Sequence, residues 1–330
     1  MTTDPAASQI PLGKRVVLRY RHSDGDIQPL TDVIGELVSL TPPSVRTAAG
    51  ELVSVAPDRV VALKALGPRP IRTGEIRALE TAAAAAWPGS THTWIDGWLV
   101  RAGNGYTRRA NSAVPLGVSG TPAALTADAL ERVERWLADR GLPLTLQLPD
   151  RLAPVPPGWN TWQETVVLGL DIANFVLPQG PSMVRIAETP DPAWLAVHRY
   201  RGEAPVDSTM PEPDPAVLTA VLDGELGFAS LGLPEPLAIA RGAVTSAPDG
   251  RRWIGLTCVA VAAAHRRNGL GALVCAELVR WGHERGATHA YVQVEVGNAA
   301  ALALYRELGF LEHHSYRYAA PGAGDPRKGT

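Results

Sequence analysis

The stretch Val259-Ala260-Val261-Ala262-Ala263-Ala264-His265-Arg266-Arg267-Asn268-Gly269-Leu270-Gly271-Ala272 runs from a strand pattern into a glycine loop and then into a helix. The helix pattern continues to Arg285 and sets Leu270, Leu273, Val274, Leu278 and Trp281 on one face. The first turn of a helix has N–H groups without intrahelical partners and carries the positive end of the dipole. Successive amides from Arg267 to Ala272 can therefore cradle a diphosphate. Gly269 and Gly271 allow the backbone to approach it without a Cβ in the way, and Arg266 and Arg267 add positive charge. No Gly-Lys-Ser/Thr follows, so this is not a P-loop, and the third glycine and downstream acid of a dinucleotide fingerprint are missing. A purely structural turn is the other reading.

Outward from this loop the chain reads as mixed α/β. Downstream come a strand at Ala290 to Val296, a helix from Asn298 to Leu308 and a strand from Phe310 to Tyr318. Upstream are a strand at Met183 to Ala187 and helices at Pro192 to Arg201 and Pro215 to Leu222. Strands follow at Gly227 to Leu231, Leu237 to Thr245 and Trp253 to Val261, the last two joined by the turn Pro248-Asp249-Gly250. Residues 70–175 echo this order more loosely. They read as a helix at Ile76 to Trp87, strands at Thr93 to Arg101 and Tyr106 to Leu116, and a helix at Ala124 to Arg140 ended by Gly141. Strands at Leu144 to Leu148 and Thr165 to Ile172 complete that half. No glycine loop matches there, so this half is not expected to bind the same ligand in the same way. Turn-rich boundaries stand at Gly67-Pro68-Arg69-Pro70 and at Pro178 to Pro181. Residues 13–66 hold short β-branched runs between turn residues, which suits a small barrel resembling the SH3-like type. Residues 1–12 are polar and expected to be a disordered tail.

Composition limits the functions open to the chain. Its 330 residues suggest two or more compact units, and 45% hydrophobic residues supply ample core. A formal net charge of −2 argues against wrapping nucleic acid. No signal-like segment or long apolar run is visible, so no membrane partner and a cytoplasmic location are expected. The two cysteines, Cys258 and Cys275, form no disulfide framework or metal cluster, and they read as small buried thiols.

Two motifs give these observations a family resemblance. Arg266-x-x-Gly269-x-Gly271 matches the R/Q-x-x-G-x-G/A signature of the GNAT superfamily of N-acetyltransferases. Asn298-x-x-Ala301-x-x-Leu304-Tyr305-x-x-x-Gly309-Phe310 matches a second GNAT motif at every fixed position. The two stand in the family's order, about 30 residues apart, as counted along the sequence. Residues 181–320 thus resemble a GNAT domain, a mixed and mostly antiparallel sheet with helices on both faces. A divergent GNAT-like half at 70–175 and the barrel precede it, as in actinobacterial members.

The resemblance implies acetyl-CoA as cosubstrate, held at Arg266, Arg267, Asn268, Gly269, Leu270, Gly271 and Ala272. It also implies a V-shaped opening between strands Trp253–Val261 and Ala290–Val296. There the backbone of Val259 and Val261 would pair with the pantetheine arm, and a free N–H at Val259 or a neighbour would face the thioester oxyanion. Asn298 would cap its helix and touch the cosubstrate. Tyr305 would protonate the departing thiolate; its other reading is a packing side chain.

Amine acylation also needs a proton acceptor, because a lysine-like amine is mostly protonated at neutral pH. Alternation on Ala290 to Val296 turns Gln293 and Glu295 one way. Some GNAT members carry a glutamate where this chain has Gln293, which leaves Glu295 as the nearest carboxylate, with His313 and His314 as weaker candidates. Glu203 and Asp207, in the loop from Gly202 to Asp214, can attract an amine. The expectation is an N-acetyltransferase that acetylates an amine, of a protein or a small molecule, by direct attack in a ternary complex. It calls for no metal and no covalent enzyme nucleophile, with Cys258 buried and inert. The alternative is a non-catalytic acyl-CoA-binding regulatory module.

Overall fold

Alternation of β-branched and polar residues dominates the first 65 positions, and the structure turns it into strands. The computed structural model describes residues 10–21, 30–47, 49–67, 70–118, 120–202 and 213–322, in two units that divide between Pro70 and Ile71. The first unit contains β1 (Arg15–Arg21), β2 (Leu30–Leu40), β3 (Pro43–Thr47), β4 (Leu52–Ser54) and β5 (Val60–Ala65). They form one antiparallel sheet in the order β4-β3-β2-β1-β5. Val16, Leu18, Leu37 and Val45 are its fully buried centre, as inward positions of bent strands should be. Ile10 joins that core, so part of the expected tail belongs to the unit.

The second unit is built on one large sheet. Its elements are α1 (Thr73–Ala86), β6 (Thr91–Ile95), β7 (Trp98–Ala102), β8 (Ala113–Pro115), α2 (Ala127–Ala138), β9 (Leu146–Pro149) and β10 (Trp159–Asp171). Then come β11 (Val184–Ala187), α3 (Pro192–Arg199), α4 (Pro215–Leu218), β12 (Glu225–Leu231), β13 (Ala238–Ser246) and β14 (Arg252–Val261). The unit ends with α5 (Leu270–Glu284), β15 (His289–Glu295), α6 (Ala299–Glu307) and β16 (Leu311–Pro321). The sheet order is β11-β12-β13-β14-β15-β10-β16-β9-β8-β7-β6. Only β14–β15 and β8–β9 are parallel pairs; every other neighbouring pair is antiparallel.

The order shows a reciprocal exchange. β10, the last strand of the first half, lies against β15 of the second; β16, the last strand of the second half, lies against β9 of the first. β10 and β16 pair with each other at the centre. Each half is therefore completed by the other's final strand.

Helices cover both faces. Val274, Leu278 and Val279 of α5 pack on Ile254 and Leu256 of β14, with Leu302 and Tyr305 of α6 in the same core. Full burial of each such aliphatic side chain contributes about 1.5–3 kcal/mol. On the other face α1 lays Ala78, Leu79, Ala82 and Ala83 against Trp253, Tyr291 and Tyr316. The alanine run is what permits this close approach. Gly255 helps, since a Cβ there would come within 2.3 Å of the Tyr291 hydroxyl. Trp98 is fully buried and donates its N–H to the Ala124 carbonyl at 2.7 Å, whereas Trp94 is 49% exposed.

One expected strand is mostly a turn. Of Tyr106 to Leu116 only β8 is extended. Asn104, Gly105 and Thr107 have positive φ, which breaks extension. The Asn111 side chain organises the turn by accepting the N–H of Gly103 and Gly105 and donating to the carbonyls of Tyr106 and Thr107. Local side-chain bonding of this kind competes with a strand ladder, and periodicity does not register it.

Candidate active site

The parallel pair β14–β15 is registered only from Trp253↔His289 to Leu256↔Val292. Both strands continue, to Val261 and to Glu295, without pairing to each other. The sheet therefore opens into a wedge, and the edge of Thr257 to Val261 faces it.

A bulge sits at the apex. Ile239 pairs with Ala260 and Arg241 with Thr257, so Cys258 and Val259 together oppose Ala240. Cys258 takes φ 56, a left-handed conformation that bulky residues avoid. The extra residue shifts the strand's parity. Ile254 and Leu256 face α5, and after the bulge Val259 and Val261 do so, while Cys258 and Ala260 turn to the face of α3. The side chains of Val259 and Val261 are thus anchors, and their backbone edge borders the wedge.

The glycine loop closes one end. Residues 263–269 are exposed. Arg267 has φ 62 and Gly269 φ 75, and Gly269 is the N-cap of α5 with no side chain accepting from the first turn. The amides of Leu270, Gly271 and Ala272 therefore begin the helix without a side-chain cap. A Cβ on Gly271 would stand 3.5 Å from Val261 and 3.6 Å from Leu304, so the space there tolerates a methyl. Arg266 also has partners inside the protein. It donates to the carbonyls of Val261, at 3.2 Å, and Arg201, at 3.0 Å, tying the loop to β14 and to the end of α3.

On the α5 side, Asn298 caps α6 by accepting the N–H of Ala301 at 3.1 Å. Tyr305 is buried, edge-on to Phe310 at 5.7 Å and packed in the same core as Cys275. Burial, then Cys275 and Cys258, hold its phenol well above the ordinary value, so it remains protonated. Cys275 is fully buried, and burial pushes its thiol up to about 12.

The proton-acceptor candidates fare unequally. Glu295 is exposed and its carboxylate accepts from the Gln163 amide. His314 is buried and bonded to Glu80 at 2.9 Å. His313 lies against it at 2.8 Å, and burial drives its imidazole down to about 3, so it stays neutral inside the fold. Neither histidine is a surface group. Glu203 and Asp207 lie outside the described residues.

Three residues that the sequence did not bring together meet on the α3 side. His198, near the end of α3, has its Nε2 2.5 Å from the Tyr106 hydroxyl and lies tilted on Trp194 at 5.3 Å. The Cys258 side chain packs in the same cluster as Trp194 and Tyr106, near enough for the thiol and the imidazole to perturb each other. Burial opposes charge on both, yet each favours the other's ionised form. The thiol is held below its usual value and the imidazole above its own. Cys258 is therefore half-buried and partnered, against the expectation of an inert thiol. The parity shift explains the miss, since strict alternation would have put Cys258 under α5.

Comparison with known proteins bears on this geometry. A family model described as "Probable histone acetyltransferase Rv0428c C-terminal" matches residues 73–319, and one described as "Rv0428c N-terminal Sm-like domain" matches residues 10–64. The chain belongs to this family of GNAT-like acetyltransferases. It is 41% identical over 310 residues to the probable histone acetyltransferase Rv0428c of Mycobacterium tuberculosis, covering 93% of this chain and 94% of the relative. It is 28% identical over 264 residues to the uncharacterized N-acetyltransferase YobR of Bacillus subtilis, covering 74% and 98%. The solved GCN5-related N-acetyltransferase from Kribbella flavida shares the fold, with a TM-score of 0.54 at 20% identity over 78% of this chain and 99% of that one. The family description of the first unit is Sm-like where SH3-like was expected. Both are small β-barrels of short strands, which a strand count does not separate. Among the described residues no helix is long and apolar enough to cross a membrane.

Proposed function

We propose that this acetyltransferase moves the acetyl group of acetyl-CoA to an amine by direct attack in a ternary complex, in the cytoplasm. The observation that carries the reading is the convergence of three features on one wedge. These are the edge of Thr257 to Val261 that β15 leaves unpaired, a helix N-terminus opened by Gly269 without a side-chain cap, and Tyr305, buried in the same core as Val259 and Val261. The amides of Leu270 to Ala272 suit a diphosphate, and the edge of Val259 and Val261 suits an extended amide-bearing arm. An N–H at the bulge suits the oxyanion. Tyr305, kept as a phenol, supplies the proton to the leaving sulfur. The acceptor class includes a protein lysine, in keeping with the name of the mycobacterial relative, and small amines.

The test is release of free thiol from acetyl-CoA with a panel of amines, for the full chain and for Tyr305→Phe. Turnover that falls about 100-fold in the variant, at unchanged CoA affinity, supports the assignment. Binding of CoA without turnover on any amine removes it.

A further inference from the structure

The proposed chemistry leaves one task unassigned. The amine arrives protonated and has to lose a proton before it attacks. Glu295 has its carboxylate engaged by Gln163, and half-buried His313 and buried His314 bond to each other and, through His314, to Glu80.

We propose that the Cys258–His198 pair, held from behind by Tyr106, is the proton acceptor for the acceptor amine. The inference rests on the acetyltransferase reading above. Cys258 occupies the bulge, two residues beyond the last paired position of β14, where the wedge begins. Its side chain faces α3, opposite the α5–α6 face that holds Tyr305. The two groups remain close enough for the thiol to perturb the phenol. An acid and a base thus stand on opposite sides of one strand edge. That is the disposition required when a sulfur leaves the carbon that a nitrogen attacks.

The arrangement behind Cys258 is that of a base with its orienting group. His198 Nε2 meets the Tyr106 hydroxyl at 2.5 Å, and the Asn111-centred turn fixes the Tyr106 backbone. Trp194 sets one side of the ring. Several charged or titratable groups face the pair among the described residues. Arg241 comes from β13, Arg201 follows α3, Asp214 stands at the start of α4 and acts on Tyr106, and Tyr305 stands on the α6 side. Arg241 is fully buried under the carbonyls of Ala86, Leu218 and Ala220, and it favours the thiolate.

The protons balance. The ammonium gives one proton to the pair, which ends as thiol and imidazolium and passes it to water. The neutral nitrogen bonds to the acetyl carbon, and the C–S bond to CoA breaks. The nitrogen's second surplus proton replaces the one Tyr305 delivers to the sulfur. The step starts from the pair with one proton; beside the imidazolium the thiol gives up its proton below its usual value, and rate rises with pH as the pair passes from two protons to one.

The experiment measures kcat/KM for the amine against pH in wild type, Cys258→Ala, Cys258→Ser, His198→Gln and Tyr106→Phe, with CoA affinity by calorimetry on each. We expect losses of about 100-fold at neutral pH for the Cys258→Ala and His198→Gln chains, shrinking as pH approaches that of the free amine. Cys258→Ser, nearly isosteric, should also lose rate. Tyr106 is a positioning residue, and its variant should shift the acid limb rather than abolish turnover. CoA affinity should stay within about twofold of wild type throughout, which also reports folding. Variants that bind CoA normally and keep the wild-type rate and acid limb overturn the relay alone. So does intact-mass detection of an acetyl group on Cys258 when wild type meets acetyl-CoA without amine, because the thiol would then be an acyl carrier. Wild type that binds no CoA overturns this inference together with the function it rests on.

Discussion

The second unit contains two parallel strand pairs, each followed or preceded by a helix, and they end differently. After β14 the chain enters α5 through Gly269, which offers no side chain to the helix N-terminus. After β8 it enters α2 through Thr126, whose hydroxyl accepts the N–H of Ala129 at 3.3 Å. Next to β14–β15 the sheet opens into a wedge. Beside β8–β9 the space is filled by a buried chain of polar groups. Arg101 donates to Gln147 at 2.7 Å and to Ser112 at 3.1 Å, Gln147 donates to Glu80 at 3.0 Å, and Glu80 meets His314 at 2.9 Å. One topology thus leaves an uncapped helix end beside a wedge in one half and a buried polar network in the other. A helix end becomes an anion site only where nothing in the protein already satisfies it.

The largest way to break the comparison is to remove the polar network. Glu80, Arg101 and Gln147 are each about 1% exposed, so Glu80→Ala strands its two partners, Gln147 and His314, in a low-dielectric interior. We expect a loss of about 3–5 kcal/mol in urea unfolding. Glu80 belongs to α1 and His314 to β16, so the damage should reach the exchanged centre of the sheet and lower both halves in one transition. A change under about 1 kcal/mol would mean that the network is incidental.

The next tests concern the open end. Gly269→Val places a β-branched side chain at φ 75 and re-aims the first-turn amides. We expect CoA affinity to fall about 5- to 30-fold, from a loss of about 1–2 kcal/mol at the helix terminus. Gly271→Ala, whose methyl would meet only ordinary contacts, should leave affinity within about threefold. Equal losses from the two would show that the site does not depend on the left-handed cap. Both are read by calorimetry on the full chain.

The open half was far more legible in sequence than the closed one, for physical reasons. Gly269, Asn298 and Tyr305 act through neighbours within a turn or two, and that information is local. The exchange of β10 and β16 depends on partners far apart in the chain, and a strand pattern names no partner. Cys258, His198 and Tyr106 were missed for a related reason. One stands on a bulge that reverses strand parity, one near a helix end, and one in a turn mistaken for a strand. Periodicity assumes that the ladder is regular, and the site is assembled where it is not.

The smallest expected effect sharpens the comparison most. Thr126→Ala removes the only side-chain cap of α2 among the described residues and should cost about 1 kcal/mol in unfolding experiments. It also leaves a second uncapped helix N-terminus next to a parallel strand pair. If an open helix end were sufficient, the variant should take up a second CoA per chain. We expect one, because α2 carries Asp128 in its first turn and the polar chain around Gln147 still fills the neighbouring space, where α5 has no acid in its first turn and a wedge beside it. The negative charge of Asp128 already uses the positive end of that dipole. The stoichiometry from a CoA titration therefore decides between two explanations, a missing cap or a missing wedge, for why the first half is silent.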